Sequence, residues 1–381
     1  MKPRRILIFS LAYFPRFVGG AEVAVKEITD RIAPGDIEFD MVTLGDGRGL
    51  AFEKIGKVNV HRVFKKAGLI QKLLFPLSAF KKAGELDSAD HYDLLWPIMA
   101  SYAGWAAWLF KKLNRRVPLV LTVQEGENFR RRSLFRFVFS PIFASADRIQ
   151  VISGFLAEWS AKMGGKCPIT VIPNGVDFDL FSRKIPIERA SGLKKSLGKK
   201  EDDIFLVTTS RLARKNAVSD LIKALTYLPA NVKLLVIGSG PLTSGLLALT
   251  ARLKLDDRVR FLGFVPHENL PAYLQVSDIF VRPSLSEGLG NSFLEAMAAG
   301  LPVIATPVGG IPDFLKDGET GLFCEVGNPL SIAQKVEKLI KDGESRNHIV
   351  EQAAKMVREK YDWDMIADRM KSLLMVYNMK K

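Results

Sequence analysis

Apolar residues in this chain fall into short runs of four to seven, separated by longer stretches with the spacing of amphipathic helices. Arg4–Ser10 predicts a first strand, and Gly19-Gly20 opens a helix over Ala21–Ile32. Further strands are expected at Phe39–Leu44, Asn59–Phe64, Tyr92–Trp96, Leu119–Val123, Arg148–Ile152 and Ile169–Ile172. Several are continuously apolar rather than alternating, as strands covered on both faces should be. The alternation pauses from Pro173 to about Glu201, a stretch that is turn-rich at its start and charged at its end, which is linker composition. It resumes with strands at Ile204–Thr209, Lys233–Ile237, Val259–Leu262, Asp278–Pro283 and Pro302–Ala305, and ends in an amphipathic segment, Trp363–Tyr377. Alternating β and α elements imply a mostly parallel, doubly wound sheet. The expected architecture is α/β with two domains facing across a cleft: 1–173, a linker region 174–201, 202–360, and a closing helix in 361–381.

Composition narrows the class without changing that picture. The 381 residues are 48% hydrophobic, 25% charged and 9% aromatic, which excludes disordered and collagen-like chains. Two cysteines, Cys167 and Cys324, supply neither a disulfide framework nor a four-ligand zinc site, and suit a reducing compartment. With no signal-peptide pattern before the first strand, a cytoplasmic location is expected. The uncharged run Leu94–Phe110 is at the short limit for a membrane span and contains Pro97, Ser101 and Gly104. It reads as a strand, a loop and a helix from about Tyr102. Charge is uneven: residues 1–173 hold 26 Lys and Arg against 16 Asp and Glu, the remainder 29 against 25. Such an excess bears on partners, with nucleic acid, anionic membrane and phosphorylated substrates all open.

Open α/β sheets bind ligands beyond the carboxyl ends of their strands, so candidate chemistry is sought there. Gly19 and Gly20 follow the first strand, where close backbone approach and free helix N–H groups suit an anion; a plain tight turn is the alternative. After the second domain's first strand, Ser210-Arg211-Leu212-Ala213-Arg214-Lys215 places three cations where a diphosphate can meet them, unless the loop is simply solvated. Glu287 lies in a glycine-rich loop with Gly288, Leu289 and Gly290, and a helix from about Asn291 carries Glu295. A carboxylate in such a loop can accept hydrogen bonds from sugar hydroxyls, and the helix start can hold a phosphate. The four histidines make no metal-ligand spacing, and Asp177 and Asp179 after Asn174-Gly175 are expected to shape a turn and cap the next segment. No metal site is expected.

At this point a family pattern is visible. The segments IPNGVD at Ile172–Asp177, SRLARK at Ser210–Lys215, VIGSGP at Val236–Pro241, FLGFVP at Phe261–Pro266 and the long stretch Ser277–Thr306 with its Glu-x7-Glu occur in order, followed by Gly309-Gly310. They resemble the family-4 retaining glycosyltransferases of the GT-B fold, and GGAE at Gly19–Glu22 fits more loosely. The resemblance implies two Rossmann-like domains, an acceptor-binding one in front and a nucleotide-sugar-binding one behind, with the last helix packing back on the first. It implies that Arg211 and Lys215 bind the donor diphosphate and stabilise its growing charge, that Glu287 holds donor-sugar hydroxyls near the amides of Gly288 to Asn291, and that Glu295 accepts from the ribose. Gly238, Gly240, Phe264 and Val265 would flank ribose and base, and Gly19 and Gly20 would approach the phosphates. It implies no cofactor and no protein nucleophile. Two departures stand out. Asn216 follows Lys215 where the family usually has Gly, and Gln124-Glu125 stands where many relatives have His-Asp or His-Glu. Gln124 hydrogen-bonds but does not shuttle a proton near neutral pH, so either the leaving phosphate takes the acceptor's proton or Glu125 helps.

Two basic-apolar segments, Lys65–Lys82 and Phe129–Phe143, suit an anionic membrane surface or a lipid-linked acceptor, unless they are ordinary helices with a buried stripe. Pro76 is expected to break the first of them. The acceptor is thus a glycan, a lipid-linked compound or a small molecule, with a peripheral place on the cytoplasmic face of a membrane in view. A nucleotide-sugar 2-epimerase shares the architecture but needs catalytic carboxylates and histidines not found here. A nucleic-acid or polyanion binder would leave the Glu287 and Glu295 loop unexplained.

Overall fold

The computed structural model describes residues 2–16, 18–33, 35–125 and 136–376. It divides into two units: one of 1–174 with 363–381, the other of 175–362.

The first unit contains β1 (Arg4–Phe9), α1 (Gly20–Arg31), β2 (Ile37–Leu44), β3 (Phe52–Ile55), β4 (Val58–Val63), α2 (Leu69–Ala89), β5 (Leu94–Pro97) and α3 (Tyr102–Leu113). It continues with β6 (Val120–Val123), α4 (Arg136–Ser145), β7 (Arg148–Val151), α5 (Gly154–Lys162) and β8 (Ile169–Val171). Strands run in the order β3-β4-β2-β1-β5, with β6-β7-β8 alongside, joined to β5 by parallel bridges at Leu95–Leu119 and Ile98–Thr122. All pairings are parallel except the β3–β4 hairpin. Ile6, Ile8, Phe39, Met41 and Trp96 form one core, to which the C-terminal helix (Trp363–Met375), packed against α1, adds Trp363, Ile366 and Met370. Three buried polar side chains of adjacent strands are linked in series. Trp96 Nε1 donates to Thr122 Oγ1, Thr122 to Gln150 Oε1 at 2.7 Å, and Gln150 Nε2 to the Ile172 carbonyl at 2.6 Å.

The second unit opens with α6 (Phe178–Ser182) and α7 (Ile187–Ser196), so the stretch expected to be a linker holds two helices; Asp177 caps α6, accepting from Leu180 N at 2.9 Å. There follow β9 (Ile204–Thr209), α8 (Val218–Ala224), β10 (Val232–Ile237), α9 (Thr243–Arg252), β11 (Val259–Gly263) and α10 (Leu270–Gln275). The unit closes with β12 (Ile279–Arg282), α11 (Asn291–Ala298), β13 (Val303–Ala305), β14 (Leu322–Phe323), α12 (Pro329–Lys341) and α13 (Gly343–Lys360). Its six strands are all parallel, ordered β11-β10-β9-β12-β13-β14. Both chain halves are therefore doubly wound α/β layers, as the hydrophobic pattern implied.

One local expectation is corrected, two short strands were not foreseen, and one expectation holds. Pro76 does not break α2, which runs 21 residues through it. Proline removes one N–H, but Phe75, Ala79 and Ala83 are buried and α2 packs on α3, β2 and β4, and that packing holds the helix together. Strand β3 was missed because its alternating, half-exposed residues form no apolar run, and β14 because it is two residues long. The uncharged Leu94–Phe110 run is β5, a loop and the start of α3, and no helix among the described residues is long and apolar enough to cross a membrane.

Candidate functional site

In the second unit β9 is the central strand. The chain leaves it for β10 and β11 on one side and returns to β12 on the other, so a topological switch point lies between β9 and β12. Loops diverge there and leave a crevice at the carboxyl ends of the strands. The loop after β9 carries Arg211 and Lys215; the loop after β12 carries Glu287. Leu285 N donates to the Lys215 carbonyl at 2.6 Å, tying the two loops together.

Arg211, Arg214 and Lys215 are exposed, and none has a carboxylate within ion-pair distance among the described residues. Asn216, the residue that replaces the usual glycine, is buried and donates through Nδ2 to the Arg211 carbonyl at 2.6 Å, so its side chain braces the loop that carries the cations. The loop after β10 lies directly on this one. Leu212 N donates to the Ser239 carbonyl at 3.0 Å, and a Cβ on Gly238, whose φ is +125°, would fall 1.9 Å from the Ser210 carbonyl oxygen. Only glycine allows that approach.

Glu287 is 9% exposed and ion-paired to Arg282, the last residue of β12. Arg282 also donates to Ser292, to Ser284 Oγ at 3.2 Å and to the Thr209 carbonyl at 3.4 Å, and its guanidinium lies 4.9 Å from the Phe293 ring centre. Among the described residues, the other carboxylate oxygen of Glu287, Oε1, accepts only from Gly288 N, at 3.3 Å. The loop is held from behind by Gly309 (φ +59°), where a Cβ would stand 1.8 Å from the Glu287 carbonyl oxygen. Gly290, in a left-handed conformation, starts α11 at Asn291. Leu289 is buried at 1%, so its backbone alone can face a ligand.

Glu295 stands one turn into α11. Its Oε1 is 3.1 Å from His267 Nε2, and His267 packs edge-on to Phe181. His267 follows Phe264 and Val265 by two to three residues on the loop after β11; Phe264 is 77% exposed and Val265 half-buried. The fold thus gathers Arg211, Lys215, Gly238, Gly240, Phe264, Val265, Glu287 to Asn291 and Glu295 onto successive loops at the carboxyl edge of one sheet. Sequence reasoning missed Arg282 and His267. A cation ending an apolar strand (Ile279–Arg282) was the available signal for Arg282, since a buried charge needs a partner close by. Nothing in the sequence marked His267, which lies 28 residues from Glu295.

The remaining candidates belong to the first unit. Gly19 and Gly20 are exposed at the start of α1, and Gly19 N donates to Glu22 Oε2 at 2.9 Å. Burial pushes the Glu22 carboxyl above its ordinary value; the nearby Glu125 adds to this, while the Gly19 amide opposes it. Gln124, after β6, is buried and accepts from Asn174 Nδ2 at 3.1 Å through Oε1. Glu125 is exposed. Of the second basic-apolar segment, residues 129–135 lie outside the described residues. Among the described residues no three His, Cys, Asp or Glu side chains form a metal-holding group.

Two family models match the chain: Glycosyltransferase Family 4 over residues 18–180 and Glycosyl transferases group 1 over residues 191–356. The chain is 29% identical over 380 residues to an uncharacterized glycosyltransferase of Methanocaldococcus jannaschii, spanning 95% of this chain and 96% of that protein. It is 28% identical over 371 residues to N-acetyl-alpha-D-glucosaminyl L-malate synthase of Bacillus anthracis, spanning 93% of each. Among solved structures, Anabaena HepE in complex with UDP and glucose superposes with a TM-score of 0.84 at 22% identity, covering 98% of this chain and all of that one. With one model matching each half and the two-sheet architecture shared, the chain belongs to the group 1, family 4 glycosyltransferases of the GT-B fold, retaining enzymes that use a nucleotide-sugar donor.

Proposed function

We propose that the carboxyl edge of the second unit's sheet binds the nucleoside diphosphate of the donor, and that Arg211 and Lys215 carry the departing charge. The observation behind this is the pair of exposed, carboxylate-free cations on the loop after the central strand, tied to the loop that bears a buried Glu287. Arg211 forms forked hydrogen bonds to the diphosphate and Lys215 supplies a point charge. As the bond between the sugar C1 and the diphosphate oxygen breaks, the acceptor oxygen bonds to C1 on the same face. The acceptor's proton passes to the leaving phosphate oxygen. The negative charge that develops there is met by groups already in place, which need no reorganisation.

Glu287, held by Arg282, keeps Oε1 for the donor sugar's hydroxyls. The amides from Gly288 to Asn291 lie beside it. Glu295 accepts from the ribose, while Gly238, Gly240, Phe264 and Val265 flank ribose and base. Gly20, at the start of α1, offers its amide to an anionic group, whereas the Gly19 amide is already given to Glu22, and Gln124 and Glu125 serve the acceptor. The reaction needs no metal or cofactor. The acceptor is a hydroxyl compound, whether glycan, lipid-linked or small molecule.

Thermal stabilisation by nucleotides, with chelator present, tests the donor site. UDP and GDP lead the panel, because HepE was solved with UDP-glucose and a mycobacterial relative is named as GDP-mannose-dependent. Ligand at 100 times its Kd adds about 2.7 kcal/mol of stability. One nucleotide family is expected to stabilise the protein, with the effect lost in Arg211→Ala and in Glu295→Ala. Stabilisation that survives both substitutions overturns the assignment.

A further inference from the structure

Helix α2 is exposed on the wrong side for a soluble surface helix. Its buried seam is Phe75, Ala79 and Ala83. Away from that seam Leu69, Ile70, Leu73, Leu74 and Leu77 are 75%, 66%, 56%, 45% and 62% exposed. At 100° per residue these five span an arc of about 140°, centred about 150° from the seam. They form a continuous aliphatic face on the first nine residues of the helix, and exposed patches of this kind mark an interaction surface.

The charges around that face are of one sign. Lys65 and Lys66 lead into the helix, Lys81 lies on the same arc as the aliphatic side chains and Lys72 toward the seam, and all four are exposed. None has a carboxylate within ion-pair distance among the described residues; Lys82 alone in this segment has one, Glu85 at 3.2 Å. Residues 54–84 contain no Asp or Glu at all. The helix start is capped by Gly68 with no side-chain hydrogen bond, and its first turn holds no acidic residue. Free N–H groups and cations thus meet at one end, where the helix dipole favours negative charge, so an external anion relieves both.

We propose that this face of α2 seats the first unit on an anionic lipid surface, with the five aliphatic side chains at the acyl boundary and Lys65, Lys66 and Lys81 against phosphate headgroups. The proposal adds to the transferase reading and does not depend on it. Two features favour lipid over a second copy of the chain. The aliphatic side chains protrude from a single helix, as in helices that lie in the membrane interface. A two-fold contact through the same face would also set lysines against lysines, since such an interface pairs like patches.

Sedimentation with vesicles tests the proposal. The protein is expected to pellet with phosphatidylcholine vesicles containing roughly one-third phosphatidylglycerol, to stay in solution with phosphatidylcholine alone, and to be released by salt. Leu73→Asn with Leu77→Asn, and separately Lys65→Glu with Lys66→Glu, are each expected to lower partitioning about tenfold or more, because both the apolar and the charged contributions are needed. Nucleotide stabilisation unchanged in both variants shows that the fold is intact and separates this test from that of the donor site. Equal partitioning of wild type and variants overturns the proposal. So does failure of the wild type to pellet, including the case where it is a dimer that Leu73→Asn with Leu77→Asn dissociates.

Discussion

Each unit buries an arginine–carboxylate pair, and the two pairs have opposite fates. In the first unit Asp40 on β2 is saturated. Oδ2 accepts from Arg5 at 2.9 Å and from the Tyr92 hydroxyl at 2.9 Å, while Oδ1 lies 3.3 Å from His61 Nε2. In the second unit Glu287 takes Arg282 on one oxygen and a single long contact from the Gly288 amide on the other. Arg5 lies near the start of its strand, Arg282 at the end of its own. The first pair ties the neighbouring strands β1 and β2 together, away from the carboxyl ends where open α/β sheets bind ligands. The second leaves hydrogen-bonding capacity at the carboxyl edge, where strand-end loops meet a substrate. A buried ion pair is weak evidence for function; the pair with lone pairs to spare at the switch point is the informative one.

The comparison breaks most visibly on removing the arginines. Arg282→Met strands a buried carboxylate and is expected to cost about 3–5 kcal/mol of stability, read in calorimetry or denaturant titration, together with most of the transferase activity. Arg5→Met is expected to cost a similar amount while nucleotide stabilisation persists in the folded fraction. Equal loss of nucleotide binding in both would erase the distinction drawn here. A smaller effect follows from Glu287→Gln, which keeps the shape but weakens the hydrogen bonds to sugar hydroxyls. A charged hydrogen bond contributes about 1.5–3 kcal/mol, so kcat/KM should fall about 10- to 150-fold, with Asp40→Asn leaving it unchanged.

The smallest and sharpest difference is in pH dependence. Burial alone would raise the Asp40 carboxyl, but hydrogen bonds from His61 and Tyr92 outweigh it and hold the group below its ordinary 3.8. A carboxyl lowered in the folded state stabilises above its unfolded value and loses that contribution as pH falls through the folded one. The gap in melting temperature between wild type and Asp40→Asn is therefore expected to be widest near neutral pH and to close below about pH 4. A gap that stays constant down to pH 3 would refute the assignment of Asp40 as an ionised, paired group.

Most of the fold was legible because parallel strands covered on both faces must be continuously apolar, and such runs are easy to see. Ile204–Thr209 emerged with the bounds expected of it. Elements without an apolar run were invisible: β3 alternates exposed and half-buried residues, and β14 is two residues long. Pro76 misled because local chemistry argues against helix there, while packing of Phe75, Ala79 and Ala83 argues for it, and packing wins. The apparent linker was misread for a related reason, since α7 buries no residue and its composition is that of a solvated segment. At the candidate site, Arg211, Lys215, Glu287 and Glu295 were named from the chain itself, and Gly238, Gly240, Phe264 and Val265 through the family resemblance. Their partners were not: Arg282 hid at the end of an apolar strand, and His267 was weighed only as a metal ligand.

The order of apolar runs, the glycines and the loop charges thus determined the α/β class, the two-part organisation and the places of Arg211, Lys215, Glu287 and Glu295 at the strand ends, because each is a property of neighbours along the chain. Only the tertiary structure decided that Glu287 is bridled by Arg282 while keeping one oxygen available, that Glu295 meets His267, that Gln124 is held by Asn174, and that the aliphatic stripe of α2 faces outward. Those outcomes depend on which groups burial brings within about 3 Å of one another, and hydrogen bonds and ion pairs act only over that range.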